Sequence, residues 1–268
     1  MFLKITFVIL VILVSVNFAA SYVQIEKGFV KVKNEIPETV STNGVKKLYV
    51  SDLLFTTLQP PDFRHMDQLE ELIIAPSGLE HIKVGVLNNK PKLRKLVVIV
   101  SQLKKIDSRA LDNIPNLEEV ILAIGNIRRI DPRWFRKSNK VRKIDLSKNR
   151  VHFLPKRAFR HIGNVTDINL NDNLIKFVHP QAFRDLNALE RLDLSMNRIR
   201  VLSHKTFRDL PGLNVLELSH NSIFCFNDQV LVSLKNIQEV SVASNPLDDD
   251  CMLKLKKYPG LIGVENVI

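Results

Sequence analysis

An apolar pattern recurs every 24 residues, without a gap, from Val45 to the end of this 268-residue chain. Its opening position is held in turn by Val45, Leu69, Leu93, Leu117, Val141, Val165, Leu189, Leu213 and Ile237. The unit from Leu189 shows the full form: Leu189, Leu192, Leu194, Asn197, Ile199, Leu202, Phe207 and Leu210. A unit this short cannot bury its own apolar face, so the units must stack into a rod with one continuous core. Within each unit apolar residues alternate with polar ones, as in Leu192-Asp193-Leu194, and that period of two marks a half-buried strand. Strands stacked in parallel about 4.8 Å apart would form a sheet about 40 Å long. Such a chain is a surface built by repetition, and the expectation is a binding protein rather than an enzyme.

The first 20 residues read as a secretory signal peptide. Lys4 supplies the charged start, Ile5 to Phe18 the apolar stretch, and Ala19-Ala20-Ser21 the small residues for cleavage. The rival, a membrane anchor, needs a run of roughly 20 apolar residues. The C-terminal Leu261 to Ile268 is too short and interrupted for a span or a lipid-anchor tail. A secreted, extracellular protein with no membrane span is therefore expected. Residues 21–44 form an N-terminal cap segment without cysteines, and residues 45–260 hold nine repeats. No Gly/Ser/Pro linker breaks them into two domains. Cys225 and Cys251 are the only cysteines, and in an oxidising compartment they read as a disulfide rather than a redox or metal pair. Equivalent positions on adjacent coils lie about 5 Å apart, within reach of that bond.

Asn149, Asn173, Asn197, Asn221 and Asn245 recur eight places into the later units. A buried Asn there can bond backbone groups that leave the sheet. Phe135, Phe159, Phe183 and Phe207 recur on the return leg and read as a core spine, not a ligand site.

Together these residues follow the L-x-x-L-x-L-x-x-N-x-L pattern of a leucine-rich repeat. Val45 to about Leu255 resembles the extracellular repeats of Toll-type ectodomains, Slit-like proteins and small leucine-rich proteoglycans. The resemblance implies an α/β, curved leucine-rich-repeat solenoid with a parallel sheet on its concave face. Asn245-Pro246 followed by Cys251 resembles a reduced form of the family's C-terminal cap. Two departures stand out. No cysteine cluster precedes the first repeat, and Leu53, Ser77, Ser101 and Gly125 replace the ladder Asn in the first four turns.

The position between the two core residues of each strand should face solvent on the concave side. It reads Tyr49, Ile73, Val97, Ile121, Asp145, Asn169, Asp193, Glu217, Ser241, with Ile99 and Ile124 flanking the apolar half. Adjacent aliphatic residues at solvent-facing strand positions point to a contact site, for another protein or for a second copy as a homodimer. A locally shifted register, or cover from the N-terminal segment, would explain them without a partner. The candidate protein-binding set is Tyr49, Ile73, Val97, Ile99, Ile121 and Ile124, with Asp145, Asp193 and Glu217 on the acidic half.

Two places earlier, Lys47, Glu71, Lys95, Glu119, Lys143, Asp167 and Arg191 alternate in sign, and Lys46, Glu70, Arg94, Glu118 and Arg142 do the same beside them. Neighbouring strands would neutralise each other there. The net charge of +11 must therefore lie elsewhere. Arg133, Arg157 and Lys205 recur at one return-leg position, Arg136, Arg160, Arg184 and Arg208 three places on, and Lys104, Arg128, His152, Lys176 and Arg200 just after the sheet. Such stripes attract polyanions by salt-sensitive steering, and a sulfated glycan is the candidate. Nucleic acid is not expected, because no aromatic residues interleave with these stripes.

No catalytic constellation, metal site or cofactor motif is present: there is no HExxH, GxSxG, phosphate-binding glycine loop or cysteine with a matched histidine. His220 with Glu217 is the nearest approach to a metal pair, and Asp248-Asp249-Asp250 reads as a solvated cap turn. Asn164-Val165-Thr166 is the single glycosylation sequon, and it falls in a turn. The sequence thus points to a protein-recognition module of matrix, signalling or innate immune type. A structural matrix component held to sulfated glycan by a basic convex face is the alternative.

Overall fold

The computed structural model describes residues 23–26, 29–33, 44–63, 65–88, 90–257 and 261–262. The signal peptide expected over residues 1–20 lies outside them. Parallel strands fall at Lys47–Ser51, Glu71–Ile74, Lys95–Ile99, Glu119–Ala123, Lys143–Asp145, Asp167–Asn169, Arg191–Asp193, Val215–Glu217 and Glu239–Ser241. Each pairs with its neighbours in a register of 24, as in Leu72 opposite Leu96 and Leu192 opposite Leu216. The result is a curved leucine-rich-repeat solenoid with the parallel sheet on its concave face. Helix is sparse among the described residues, with α-helices at Asp228–Leu234 and Asp249–Leu255 in the last two coils. The earlier return legs run as turns.

The alternation in sequence explains the packing. Leu72 and Ile74, Leu96 and Val98, Val120 and Leu122 are buried in one continuous core, together with the equivalent pairs of every other coil. Phe135, Phe159, Phe183 and Phe207 are all buried on the return leg. Phe159 and Phe183 stack with ring centroids 5.9 Å apart, whereas Phe135 meets Trp134 edge-on at 6.4 Å. Two further strands continue the sheet at the N-terminal side. Val23–Glu26 pairs antiparallel with Phe29–Lys33, which lies parallel to Lys47–Ser51. Backbone pairing therefore extends the sheet there without any cysteine.

The asparagine ladder fastens the later coils. Asn197 Nδ2 donates to the carbonyls of Leu170, Leu194 and Ser195 at 3.0, 3.1 and 3.0 Å, while its Oδ1 accepts the Ile175 N–H at 3.0 Å. In the early coils Ser77 and Ser101 substitute with single bonds from the N–H groups of Leu79 and Leu103. Gly125 stands where the ladder begins. A side chain there would meet Asn149 Oδ1 at 2.9 Å, and that oxygen already accepts the Ile127 N–H.

On the flank where the chain leaves the strands, two small parallel sheets form. One joins Thr57–Leu58, His81–Ile82 and Lys105–Ile106; the other joins Phe153–Leu154 and Phe177–Val178. Chemistry explains the gap between them. Asp107 donates its N–H to the Ile82 carbonyl and His179 to that of Leu154, but Pro155 at the equivalent position has no N–H to give. The N–H that Pro155 lacks would meet Ile130, and on the other side of that coil the Ile106 carbonyl is taken by Trp134 Nε1 at 3.3 Å. The side sheet is thereby interrupted at the turn through residues 126–131.

Candidate protein-binding face

The expected concave row forms as a continuous line. Tyr49, Ile73, Val97, Ile121 and Asp145 are directly opposite one another on successive strands. Ile73 and Ile121 are half-buried, and Val97 between them is only 6 % exposed although it stands outside the main core cluster. The register is not shifted, because each row residue is bracketed by two core residues. Lys31 on the neighbouring N-terminal strand lies opposite Tyr49 and carries its ammonium 5.3 Å from the ring centre, a cation–π contact at the edge of the apolar stretch. This strand lies beside the row.

Ile99 sits opposite Ala123, and Ile124 follows at the end of the next strand, 44 % exposed. Ile124 has φ 55° and its counterpart Val100 has φ 51°. A β-branched residue in the left-handed region is costly and needs a compensating reason. Val100, exposed beside the row, was not among the residues that sequence singled out; only the backbone angle marks it.

The polar half works differently. Asp145 Oδ1 accepts the Ser147 N–H at 2.8 Å, Asn169 Oδ1 that of Asn171 at 2.9 Å, and Asp193 Oδ1 that of Ser195 at 2.9 Å. These side chains capture the second N–H along at the ends of three-residue strands, where Lys95–Ile99 and Glu119–Ala123 run to five. Glu217 is held by Arg191 at 3.4 Å. The acidic residues expected to contact a partner are thus already engaged at home. Burial, helped by Asp145 and Asp193, raises the Asp167 carboxyl above its ordinary range despite Lys143 and Arg191.

The alternating charges pair across strands. Lys46 meets Glu70 at 3.2 Å, Lys47 Glu71 at 2.8 Å, Arg94 Glu118 at 3.3 Å, and Lys95 Glu119 at 2.7 Å. Each exposed pair contributes about 0–1 kcal/mol, so the ladder favours register more than stability.

The basic stripes divide. Lys104 pairs with Glu80 at 2.7 Å, Arg133 with Asp131 at 2.9 Å, Arg157 and Arg184 both with Asp185 at 3.4 and 3.6 Å, and Arg208 with Asp209 at 3.1 Å. The Asp131 carboxyl is held down to about 2 by hydrogen bonds from Arg133, against the opposing effect of burial, with further help from Ser108. Arg136 and Arg160 form no ion pair among the described residues. Burial lowers the His161 pKa, and those two arginines lower it further. Arg128 is likewise exposed and unpaired, and it lies with Arg129 and Arg150 in the furrow left by the interrupted side sheet. Phe153, 41 % exposed, lines the same furrow. An aromatic ring therefore does stand among these cations, contrary to the sequence expectation, because folding places positions 128 and 153 on adjacent coils.

Cys225 and Cys251 form a disulfide with their Cα atoms 5.3 Å apart. Asp248 lies within ligating distance of both sulfurs, yet the bond occupies them, and Asp248 Oδ1 accepts the Cys251 N–H at 2.7 Å as a helix cap. Asn164 is exposed in its turn, its Nδ2 bonded to the Asn139 carbonyl at 3.1 Å. No helix among the described residues is long and apolar enough to cross a membrane.

The family model described as leucine rich repeat matches residues 91–151, 115–166, 139–199 and 189–247, so that together the matches run over more than half of the chain. The chain belongs to the leucine-rich repeat family. No curated protein sequence matches this leucine-rich repeat chain. Among solved structures, it superposes on a chain of the mouse RP105/MD-1 complex with TM-score 0.76 and 18% identity, covering 89% of this chain and 45% of that one. A chain of the Drosophila Toll–Spatzle complex gives 0.67 and 17%, with 84% and 33% covered. Human 5T4 gives 0.61 and 20%, with 88% and 85% covered. The leucine-rich repeat chain thus shares the fold of Toll-type ectodomains while spanning a third of the Toll chain and under half of the RP105 chain.

Proposed function

We propose that this leucine-rich repeat protein is a secreted, non-enzymatic recognition protein that binds another extracellular protein through its concave face. The carrying observation is the aligned aliphatic row Ile73, Val97, Ile121, flanked by Ile99 and by the exposed, strained Ile124. Solvent-facing strand positions gain nothing from aliphatic residues unless something covers them. The leader-like residues 1–20 and the disulfide support an extracellular setting. The structural neighbours named for complexes with Spatzle and MD-1 support a protein ligand. A matrix, signalling or innate immune role fits this reading, and Asn164 is the proposed glycosylation site. The alternative, a matrix component held to sulfated glycan along its basic back, is weakened by the acids that pair with Arg133, Arg157, Arg184 and Arg208.

The test is a pull-down from extracellular fluid with the wild type and with Ile73→Asp/Ile121→Asp, both half-buried positions of the row, alongside thermal unfolding and light scattering. Covering what remains exposed of each side chain contributes up to about 1 kcal/mol apiece, and a charge placed in the contact adds its desolvation cost, so the double variant should bind at least about tenfold more weakly. It should remain folded, since Asp145 and Asp193 occupy the same row. A folded variant with normal binding would refute the site. Loss of self-association alone would make the partner a second copy.

A further inference from the structure

The interrupted side sheet leaves an open groove of about 1250 Å³ on the flank of the solenoid, away from the concave row. We infer that this groove is a binding site for a linear sulfated polysaccharide, centred on Arg128, Arg129 and Arg150. Its origin is backbone chemistry. Pro155 has no N–H to give Ile130 on one side of the gap, and Trp134 Nε1 takes the Ile106 carbonyl on the other. The furrow therefore runs across successive coils, a shape suited to an extended chain.

Charge selects an anion. The two acids in the lining, Glu80 and Asp131, are already neutralised by Lys104 at 2.7 Å and Arg133 at 2.9 Å. Arg128, Arg129 and Arg150 are exposed and form no ion pair among the described residues. Unpaired guanidinium groups offer the paired N–H geometry that matches sulfate and carboxylate oxygens. Gln102 and Asn126, joined by a 2.7 Å bond in the lining, keep amide hydrogens and oxygens for hydroxyl groups. Phe153 supplies one exposed apolar ring at the groove edge. A single-stranded nucleic acid wants an aromatic platform for successive bases, and of the two rings in the lining Trp134 is buried and Phe153 alone is exposed, so the saccharide is favoured.

The experiment uses the full chain and a size-defined heparin oligosaccharide as probe, with an unstructured single-stranded RNA of equal charge in parallel. Arg129→Gln/Arg150→Gln is compared with Arg136→Gln/Arg160→Gln, which removes the same charge from the unpaired stripe outside the groove. The expected result is a tenfold or greater loss of heparin affinity for the groove variant and less than twofold for the other, both variants unfolding at the wild-type temperature. Equal losses would show diffuse attraction and overturn the site. Absence of wild-type binding at 0.15 M salt, or tighter binding of RNA than heparin through the same residues, would overturn the ligand class. The concave variant Ile73→Asp/Ile121→Asp should bind heparin as the wild type does, which separates this site from the protein-binding face.

Discussion

Asp145 holds the backbone N–H of Ser147 at 2.8 Å with its own carboxylate. Directly opposite, Ile121 has no such atom, and its strand continues to Ala123. The concave row thus changes from aliphatic to acidic where strands change from long to short. Asp145→Ala or Asp193→Ala should each lower stability by about 1 kcal/mol, the net worth of one intramolecular hydrogen bond. Glu217→Ala removes no such bond and should leave thermal unfolding nearly unchanged. If Asp145→Ala unfolds at the wild-type temperature, its carboxylate serves a partner rather than the strand end.

The asparagine ladder carries a larger cost. Asn197→Ala leaves the buried Ile175 N–H without a partner, while the carbonyls of Leu170, Leu194 and Ser195 each lose one of two donors and keep Asn173, Asn221 and the Asp172 N–H. A loss of about 3 kcal/mol is expected, since the unsatisfied buried N–H costs about 1–3 kcal/mol and the three lost bonds to carbonyls add to it. Ser101→Ala, with only the 3.3 Å bond from the Leu103 N–H at stake, should lose about 1 kcal/mol. Urea denaturation of the two variants measures the difference, and equal losses would refute the ladder's role.

Much of this was legible because a solenoid converts sequence period directly into spatial adjacency. Stepping by 24 from Leu189 located the nine strands from Lys47–Ser51 to Glu239–Ser241, the Asn ladder and the row of Val97, but not the N-terminal strands or the side sheets. The disulfide followed because Cys225 and Cys251 hold nearly equivalent places on adjacent coils. Features that depend on a departure from the period were not legible. Pro155 breaking the side sheet, Trp134 taking over the Ile106 carbonyl, and the groove they leave all arise from one coil failing to match the next. The stripes misled for a related reason. Asp131, Asp185 and Asp209 lie outside the basic positions, so a count of arginines alone overstates the free charge. The left-handed backbone at Val100 and Ile124 has no signature in the residues that occupy it.

Removing the Cys225–Cys251 bond opens a constraint between residues 26 apart in sequence. Cys225→Ala/Cys251→Ala should lose about 3–4 kcal/mol on the chain-entropy account. Hydrogen exchange should locate the loss in the last two coils, around Asp228–Leu234 and Asp249–Leu255. Uniform loss of protection from Lys47 onward would contradict a local clamp.

Asp131 gives the fold an acid-sensitive contact. Its folded pKa of about 2 lies below the ordinary carboxylate value of 3.8, so it binds its proton more weakly when folded. Its contribution is fully present above pH about 4 and is lost as pH falls toward 2. Arg133 is largely exposed, so solvent screening weakens the contribution. Asp131→Asn should therefore narrow the stability gap with the wild type as pH falls from 4 to 2. A gap that stays constant over that window would show that the Arg133 contact is not what lowers the carboxyl.

The last prediction sets stability against binding at one position. Asp52, Val100, Ile124, Lys148, Asp172, Met196, His220 and Ser244 all adopt φ between 51° and 56° at the same place in successive coils. The left-handed conformation costs about 1–2 kcal/mol for most side chains and less for asparagine, whose amide bonds locally. Ile124→Asn and Val100→Asn should each raise stability by about 0.5–1 kcal/mol. The aliphatic side chain persists there at a cost to the fold, which is expected where a surface serves a partner. Ile124→Asn should accordingly raise the unfolding temperature while weakening capture of the concave-face partner severalfold. Thermal unfolding and pull-down on the same preparation measure both. A variant that is more stable and binds normally would remove Ile124 from the contact site, and one that is less stable would mean that the isoleucine packs against something the left-handed turn requires.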